Sequence, residues 1–180
     1  FDFVDLGGGM GIKYDNKTKS LNYKKYNLKI KQFLKKNNTK IIFEPGRSII
    51  ADTAVLLTKI IYIKKTKNKN FIILDAGMND LIRPALYGST HQIIPLKKNN
   101  QIINKIHDFV GPICESTDKF LSLKKYQKVN EKDILAIYDV GAYGMVLSSN
   151  YNLRTKLPEI MINKSSSRVI LKRQKLNNII

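Results

Sequence analysis

The spacing of apolar residues in this 180-residue chain changes once, near Ala51, and that change limits the folds open to it. Before it, Val4 to Leu6 form a short apolar run that ends in Gly7-Gly8-Gly9. Tyr23, Tyr26, Ile30, Phe33 and Leu34 recur at helical spacing with lysines on the other faces, which predicts a helix from about Tyr23 to Lys36 that stops at Asn37-Asn38. Lys40 to Phe43 predict a second strand, closed by Pro45-Gly46. Strand, helix, strand is the repeating unit of a parallel α/β fold, with functional loops at the C-terminal ends of the strands. After Ala51 the runs Val55–Ile63, Phe71–Leu74, His91–Leu96, Ile102–Val110 and Ile134–Val140 read as strands between Lys/Asn/Gly turns, interrupted by one short helix, Asp80–Tyr87. Residues 160–173 predict two more strands split by Asn163 to Ser167, and Gln174 to Ile179 a closing helix. The expected fold class is α/β plus all-β, with the strand–helix–strand in residues 1–50 and a β-sandwich or β-barrel domain in residues 51–180. The chain opens on Phe1 in what reads as mid-strand, so the expectation is the C-terminal piece of a longer protein.

The formal net charge of +18 raises a nucleic-acid partner. The lysines, however, are scattered, outnumber arginine and keep company with Asn and Ile, whereas base readers concentrate arginine and aromatics. A solvated basic surface is the reading taken, with no nucleic acid as partner. The lone Cys114 excludes an internal disulfide and a cysteine-rich zinc site, and it fits a reducing cytoplasm. No apolar run reaches the ~18 residues of a membrane span. The two histidines, His91 and His107, fall in β-type runs and are read as structural, so no metal site is expected.

Five short motifs carry candidate chemistry, and each has a plain alternative. Glycines 7, 8 and 9 after a strand let backbone N–H groups approach an oxyanion such as a phosphate, although an ordinary βα turn explains them too. No Gly-Lys-Ser/Thr follows, so this is not a P-loop. In Glu44-Pro45-Gly46-Arg47 the carboxylate suits a basic ring nitrogen and the guanidinium a phosphate or carboxylate; the alternative is a strand-end salt bridge. Arg83 and Tyr87 are four apart, on one face of the short helix, and together suit a substrate carboxylate. The alternative is a surface arginine beside a half-buried tyrosine, which is common. Cys114 at a turn could donate a proton and Glu115 could bind an ammonium, while a lone cysteine is more often a small buried hydrophobe. Tyr143, between glycines, could reach a phosphate or simply pack a turn.

Taken together the motifs resemble the C-terminal half of the diaminopimelate decarboxylases, pyridoxal-phosphate enzymes of the alanine-racemase-like fold. The matching stretches are residues 5–12, 44–49, 75–87, 111–118, 141–144 and 149–152, in the family's order across nearly the whole chain. The sister ornithine and arginine decarboxylases share the glycine loop and the Glu-Pro-Gly-Arg turn but usually carry Cys-Asp in place of Cys114-Glu115, and they lack the run Met78 to Pro84. The resemblance implies the C-terminal end of a TIM-type (β/α)8 barrel ahead of the β domain, and pyridoxal 5'-phosphate as cofactor. It implies that Gly7, Gly8, Gly9 and Gly46 cradle the cofactor phosphate and that Glu44 pairs with the pyridine nitrogen. Arg47, Arg83 and Tyr87 would then bind substrate carboxylate, Arg47 and Tyr143 lying beside both cofactor and substrate. Cys114 becomes the proton donor and Glu115 the reader of the substrate's distal end, both serving the partner subunit's site in a homodimer.

The chemistry is consistent with these roles. Loss of CO2 leaves an electron pair that a protonated pyridine ring accepts, and a positioned acid must then return a proton to carbon. The family's Schiff-base lysine and ring-stacking histidine belong to its N-terminal half, and neither motif occurs here. Thr155 follows Arg154 where the family usually has proline. The expectation is a lysine-biosynthetic decarboxylase of meso-2,6-diaminopimelate whose isolated 180-residue segment is inactive. The alternatives are an ornithine- or arginine-type decarboxylase of the same fold, a non-catalytic basic domain whose nucleic-acid affinity falls steeply with salt, and a gene remnant making no stable protein.

Overall fold

The computed structural model describes residues 1–14 and 20–180. Strands β1 (Phe3–Asp5) and β2 (Lys40–Ile42) pair in parallel, Val4 opposite Ile41, and α1 (Tyr23–Lys36) connects them. This is the strand–helix–strand expected. The limits of α1 follow from its ends: the Asn22 side chain accepts the Lys25 N–H at 3.0 Å, and Lys35 and Lys36 face the negative end of the helix dipole. Both the backbone and side-chain N–H of Asn37 donate to the Phe33 carbonyl, at 3.1 and 2.9 Å. No side chain of α1 is fully buried; Tyr26 leans on Phe43 with ring centroids 6.0 Å apart. A four-residue helix, α2 (Arg47–Ile50), then runs into a 3-10 turn over Ala51–Thr53.

The rest of the molecule is dominated by one mixed six-stranded sheet. Its strands are β3 (Leu56–Lys65), β4 (Lys69–Leu74), β5 (Ile93–Pro95), β7 (Ile106–Val110), β8 (Lys119–Leu123) and β10 (Ile134–Ile137), in the order β5-β10-β3-β4-β7-β8. All neighbours are antiparallel except β4 and β7. The chain leaving β4 travels through α3 (Arg83–Tyr87) and β5 before returning, a crossover long enough to allow parallel pairing. Strand β4 buries alternate residues, Asn70, Ile72 and Leu74. Ile72 and Leu74 join Ile60, Leu81, Phe109, Leu135 and Ile137 in the core. Phe109 meets Tyr126 edge to face at 4.8 Å, and the Tyr126 hydroxyl donates to the Ile93 carbonyl at 2.9 Å. Burial pushes that phenol well above its ordinary pKa. Two further antiparallel pairs form separate two-stranded sheets: β6 (Ile102–Ile103) with β9 (Tyr126–Gln127), and β11 (Glu159–Asn163) with β12 (Ser166–Leu171).

Several expectations are corrected. The single strand expected over residues 102–110 divides into β6 and β7, and β8 and β9 were not foreseen. The helix expected from Asp80 begins only at Arg83, because the Asp80 carboxylate accepts the Gly77 N–H at 2.9 Å and closes a turn there. The closing helix over residues 174–179 reduces to a 3-10 turn at Leu176–Asn178. Gln174 is held instead by Asn150 Nδ2 and the Lys156 N–H, which donate to its Oε1 at 2.6 and 3.0 Å.

Candidate active site

Three loops meet at the C-terminal ends of β1 and β2. The Asp5 carboxylate accepts the Gly7 N–H at 2.7 Å and bends the chain out of β1. Gly7 and Gly9 have φ of +63° and +69°, and a Cβ on either would face open space. Gly8 is different: a Cβ there would collide with the Glu44 carbonyl oxygen, so only glycine lets this loop lie against the turn after β2. The Glu44 N–H donates to the Gly7 carbonyl at 2.9 Å and completes the junction. The third loop, residues 141–144, is tied down by the Gly141 N–H, which donates to Ala51 at 3.0 Å. A Cβ on Gly141 would strike the Ile50 carbonyl, so the loop sits on the end of α2. It forces Tyr143 to a φ of +63°, a conformation rare for a side-chain-bearing residue.

The Tyr143 ring is where the parts converge. Its hydroxyl lies 3.7 Å from the position of a Cβ on Gly46. The guanidinium carbons of Arg47 and Arg83 lie 5.9 and 5.7 Å from its centroid. The Arg47 Nε is buried without a hydrogen-bond partner among the described residues. A cationic donor left in that state is favoured by an anion placed against it. Glycine 7, 8 and 9, Glu44, Gly46, Arg47, Arg83 and Tyr143, chosen from sequence, thus come from loops that touch one another, with Glu44 exposed. Tyr14, which sequence reading passed over, joins them: its hydroxyl accepts from Arg83 Nη1 at 2.8 Å.

Among the described residues no hydrogen bond or cation–ring contact ties Tyr87 or the Cys114-Glu115 pair to the Tyr143 ring. Arg83 is 4% exposed, whereas Tyr87 on the same short helix is 65% exposed, and no hydrogen bond among the described residues joins them. Cys114 is exposed at a turn held by Asp118, whose carboxylate accepts the N–H groups of Ile113 and Met78, both at 2.7 Å. A Cβ on Gly111 would overlap that carboxylate. Asp80, the second buried acid here, lies 3.7 Å from Arg154, which also donates to Asn79 at 2.9 Å. Burial raises the pKa of both acids. The Glu115 carboxylate accepts the Tyr151 hydroxyl at 2.6 Å, a bond that raises the phenol's pKa. Both residues line a cavity of about 590 Å³ together with Met78, Asn79, Ile82 and Ser149. No hydrogen bond or ion pair among the described residues links this second cluster to Arg47 or Tyr143. Asp80, Asp118 and Tyr151 also escaped the sequence reading; the spacing from Gly111 to Asp118 was the available signal of a closed turn.

Residues 14–141 match the family described as pyridoxal-dependent decarboxylase, C-terminal sheet domain, and the chain belongs to that family. It is 41% identical over 177 residues to a diaminopimelate decarboxylase of Zymomonas mobilis, covering 98% of this chain and 42% of the relative. The crystal structure of diaminopimelate decarboxylase from Helicobacter pylori complexed with L-lysine superposes with a TM-score of 0.88 at 41% identity, over 98% of this chain and 43% of that one. A lysine/ornithine decarboxylase from Vibrio vulnificus, complexed with cadaverine, shares the fold at 19% identity and a TM-score of 0.72, over 84% of this chain and 41% of that one. The chain therefore spans about two fifths of the length of the relatives it matches.

Proposed function

We propose that these residues form the C-terminal part of a diaminopimelate decarboxylase, which releases CO2 from meso-2,6-diaminopimelate and leaves L-lysine. The observation that carries the reading is the meeting of Gly46, Arg47 and Arg83 at one tyrosine ring, Tyr143, beside the glycine loop. The likeness to diaminopimelate decarboxylases over nearly the whole chain supports it. On this reading β1–α1–β2 is the last unit of a TIM-type (β/α)8 barrel, supported by the parallel pairing of its strands, and residues 51–180 form the β domain.

The site fits a pyridoxal phosphate group. An open loop with two left-handed glycines offers backbone donors, and the partnerless buried Nε of Arg47 offers a cation. When bound, that group supplies the electron sink for carbon–carbon cleavage. The chain's own residues do the rest. Gly7, Gly8, Gly9, Gly46 and Tyr143 hold the phosphate, and Glu44 keeps the ring nitrogen protonated. Arg47, Arg83 and Tyr87 grip substrate carboxylate. Cys114 returns a proton to carbon, and Glu115 binds the distal ammonium. The same reading takes the protein as a homodimer in which the exposed Cys114-Glu115 turn of each subunit serves the other's site. A cytoplasmic location belongs to the same proposal and rests on the lone cysteine.

The test is turnover by the full-length protein. It is expected to convert diaminopimelate in clear preference to ornithine and arginine, while the 180-residue segment alone converts none. Arg47→Ala is expected to lower kcat/KM by about 100-fold, the loss of one strong charge-assisted contact worth ~3 kcal/mol. Comparable turnover of ornithine or arginine would overturn the assignment.

A further inference from the structure

Arg83 is a buried cation whose orientation is fixed at one end. Its Nη1 carries two N–H groups, and both have acceptors: the Tyr14 hydroxyl at 2.8 Å and His91 Nε2 at 3.2 Å. Among the described residues, the Nε and Nη2 donors of Arg83 have no such partner. These lie along the edge of a guanidinium that matches a carboxylate with two parallel bonds.

The tautomer of His91 follows from its neighbours. Its Nδ1 lies 2.9 Å from the Tyr138 carbonyl oxygen, which can only accept, so Nδ1 carries the proton. Its Nε2 faces Arg83, which can only donate, so Nε2 must present a lone pair. The ring is 1% exposed and braced by the Tyr14 ring, edge to face at 5.2 Å. Tyr138 directly follows β10 and its N–H donates to the Gln92 carbonyl, so the sheet itself sets the position of the imidazole. Burial, helped by the Arg83 charge, holds the pKa of His91 below its ordinary value and keeps the ring neutral.

We propose that His91 is a positioning residue for substrate recognition: as the Nδ1–H tautomer it accepts from Arg83 Nη1 and so turns the free edge of the guanidinium toward a substrate carboxylate. The proposal rests on the reading of Arg83 as a substrate-binding residue. A ring that merely filled space would be replaceable by any apolar side chain of similar size. A ring that orients Arg83 is replaceable only by another acceptor.

The experiment uses the full-length protein loaded with pyridoxal phosphate, in three forms: unaltered, His91→Leu and His91→Gln. Leucine offers no acceptor, whereas the amide oxygen of glutamine can accept from Nη1. His91→Leu is expected to raise KM for diaminopimelate by about tenfold, in line with losing a hydrogen bond to a charged group. Its kcat should change less, because the carboxylate contact is made equally in ground and transition states. His91→Gln should recover most of the KM, and the cofactor absorbance should be the same in all three. Equal KM values in the Leu and Gln variants, raised or not, would overturn the proposal. Nitrogen-15 NMR of the unaltered protein reads the tautomer without any substrate, so it also decides the case should His91→Leu fail to fold. A proton on Nε2 sinks the positioning role, whereas Nδ1–H with no turnover of any amino acid sinks the proposed activity and leaves the His91–Arg83 geometry standing.

Discussion

Helix α1 and strand β4 both carry regular apolar patterns, but they end in different surroundings. β4 lies between β3 and β7 and buries every second side chain. α1 covers a two-stranded pair and leaves Leu28, Phe33 and Leu34 between 38% and 59% exposed. The difference teaches that periodicity sets where an element forms, while the number of layers packed against it sets what it contributes. Within these 180 residues the six-stranded sheet holds the core, and the strand–helix–strand carries the glycine loop and the Glu44–Arg47 turn.

Mutations can break that contrast. Phe109→Ala, at a fully buried position in β7, is expected to cost ~3–5 kcal/mol in denaturant unfolding of the chain. A smaller effect tests the sheet through acid. His107 is buried in β7, donates from Nδ1 to the Lys105 carbonyl at 2.7 Å and faces Asn70 at 3.3 Å. Burial lowers its pKa from 6.5, so the folded state holds the ring neutral. Its contribution is intact above that unfolded value and is lost as pH falls through the lower folded one. Melting curves between about pH 7 and about pH 5 should therefore show stability falling, with a shallower slope in His107→Gln. An unchanged slope would remove His107 as the cause. The smallest effect belongs to α1: in the 180-residue segment Phe33→Ala is expected to shift stability by no more than ~0.5 kcal/mol. A loss there as large as that of Phe109→Ala would erase the distinction between the two regions.

What sequence revealed follows the same line. The limits of α1 could be read because local residues, Asn22 and Asn37, end it. Strand β8 could not, since its Lys119–Leu123 pattern buries only Phe120 fully and depends on β7 for its edge. In the site, the glycine loop, Arg47 and Tyr143 announce themselves because special backbone geometry demands glycine nearby. Tyr14 and His91 do not, because each is fixed by a partner 69 or 47 residues away that no local pattern marks.

The strand order carries a consequence for synthesis. β3 is the longest strand, and one of its edges waits for β10, which is made only after all the other strands of the sheet. The hairpins β3–β4 and β7–β8 can zip as they leave the ribosome, since local closure is entropically easy and distant closure is slow. Until Ile137 emerges, the bare edge of Leu56 to Lys59 is open to pairing with a neighbouring nascent chain. The lysines at 59, 64 and 65 repel such a copy, and they guard the strand while it waits.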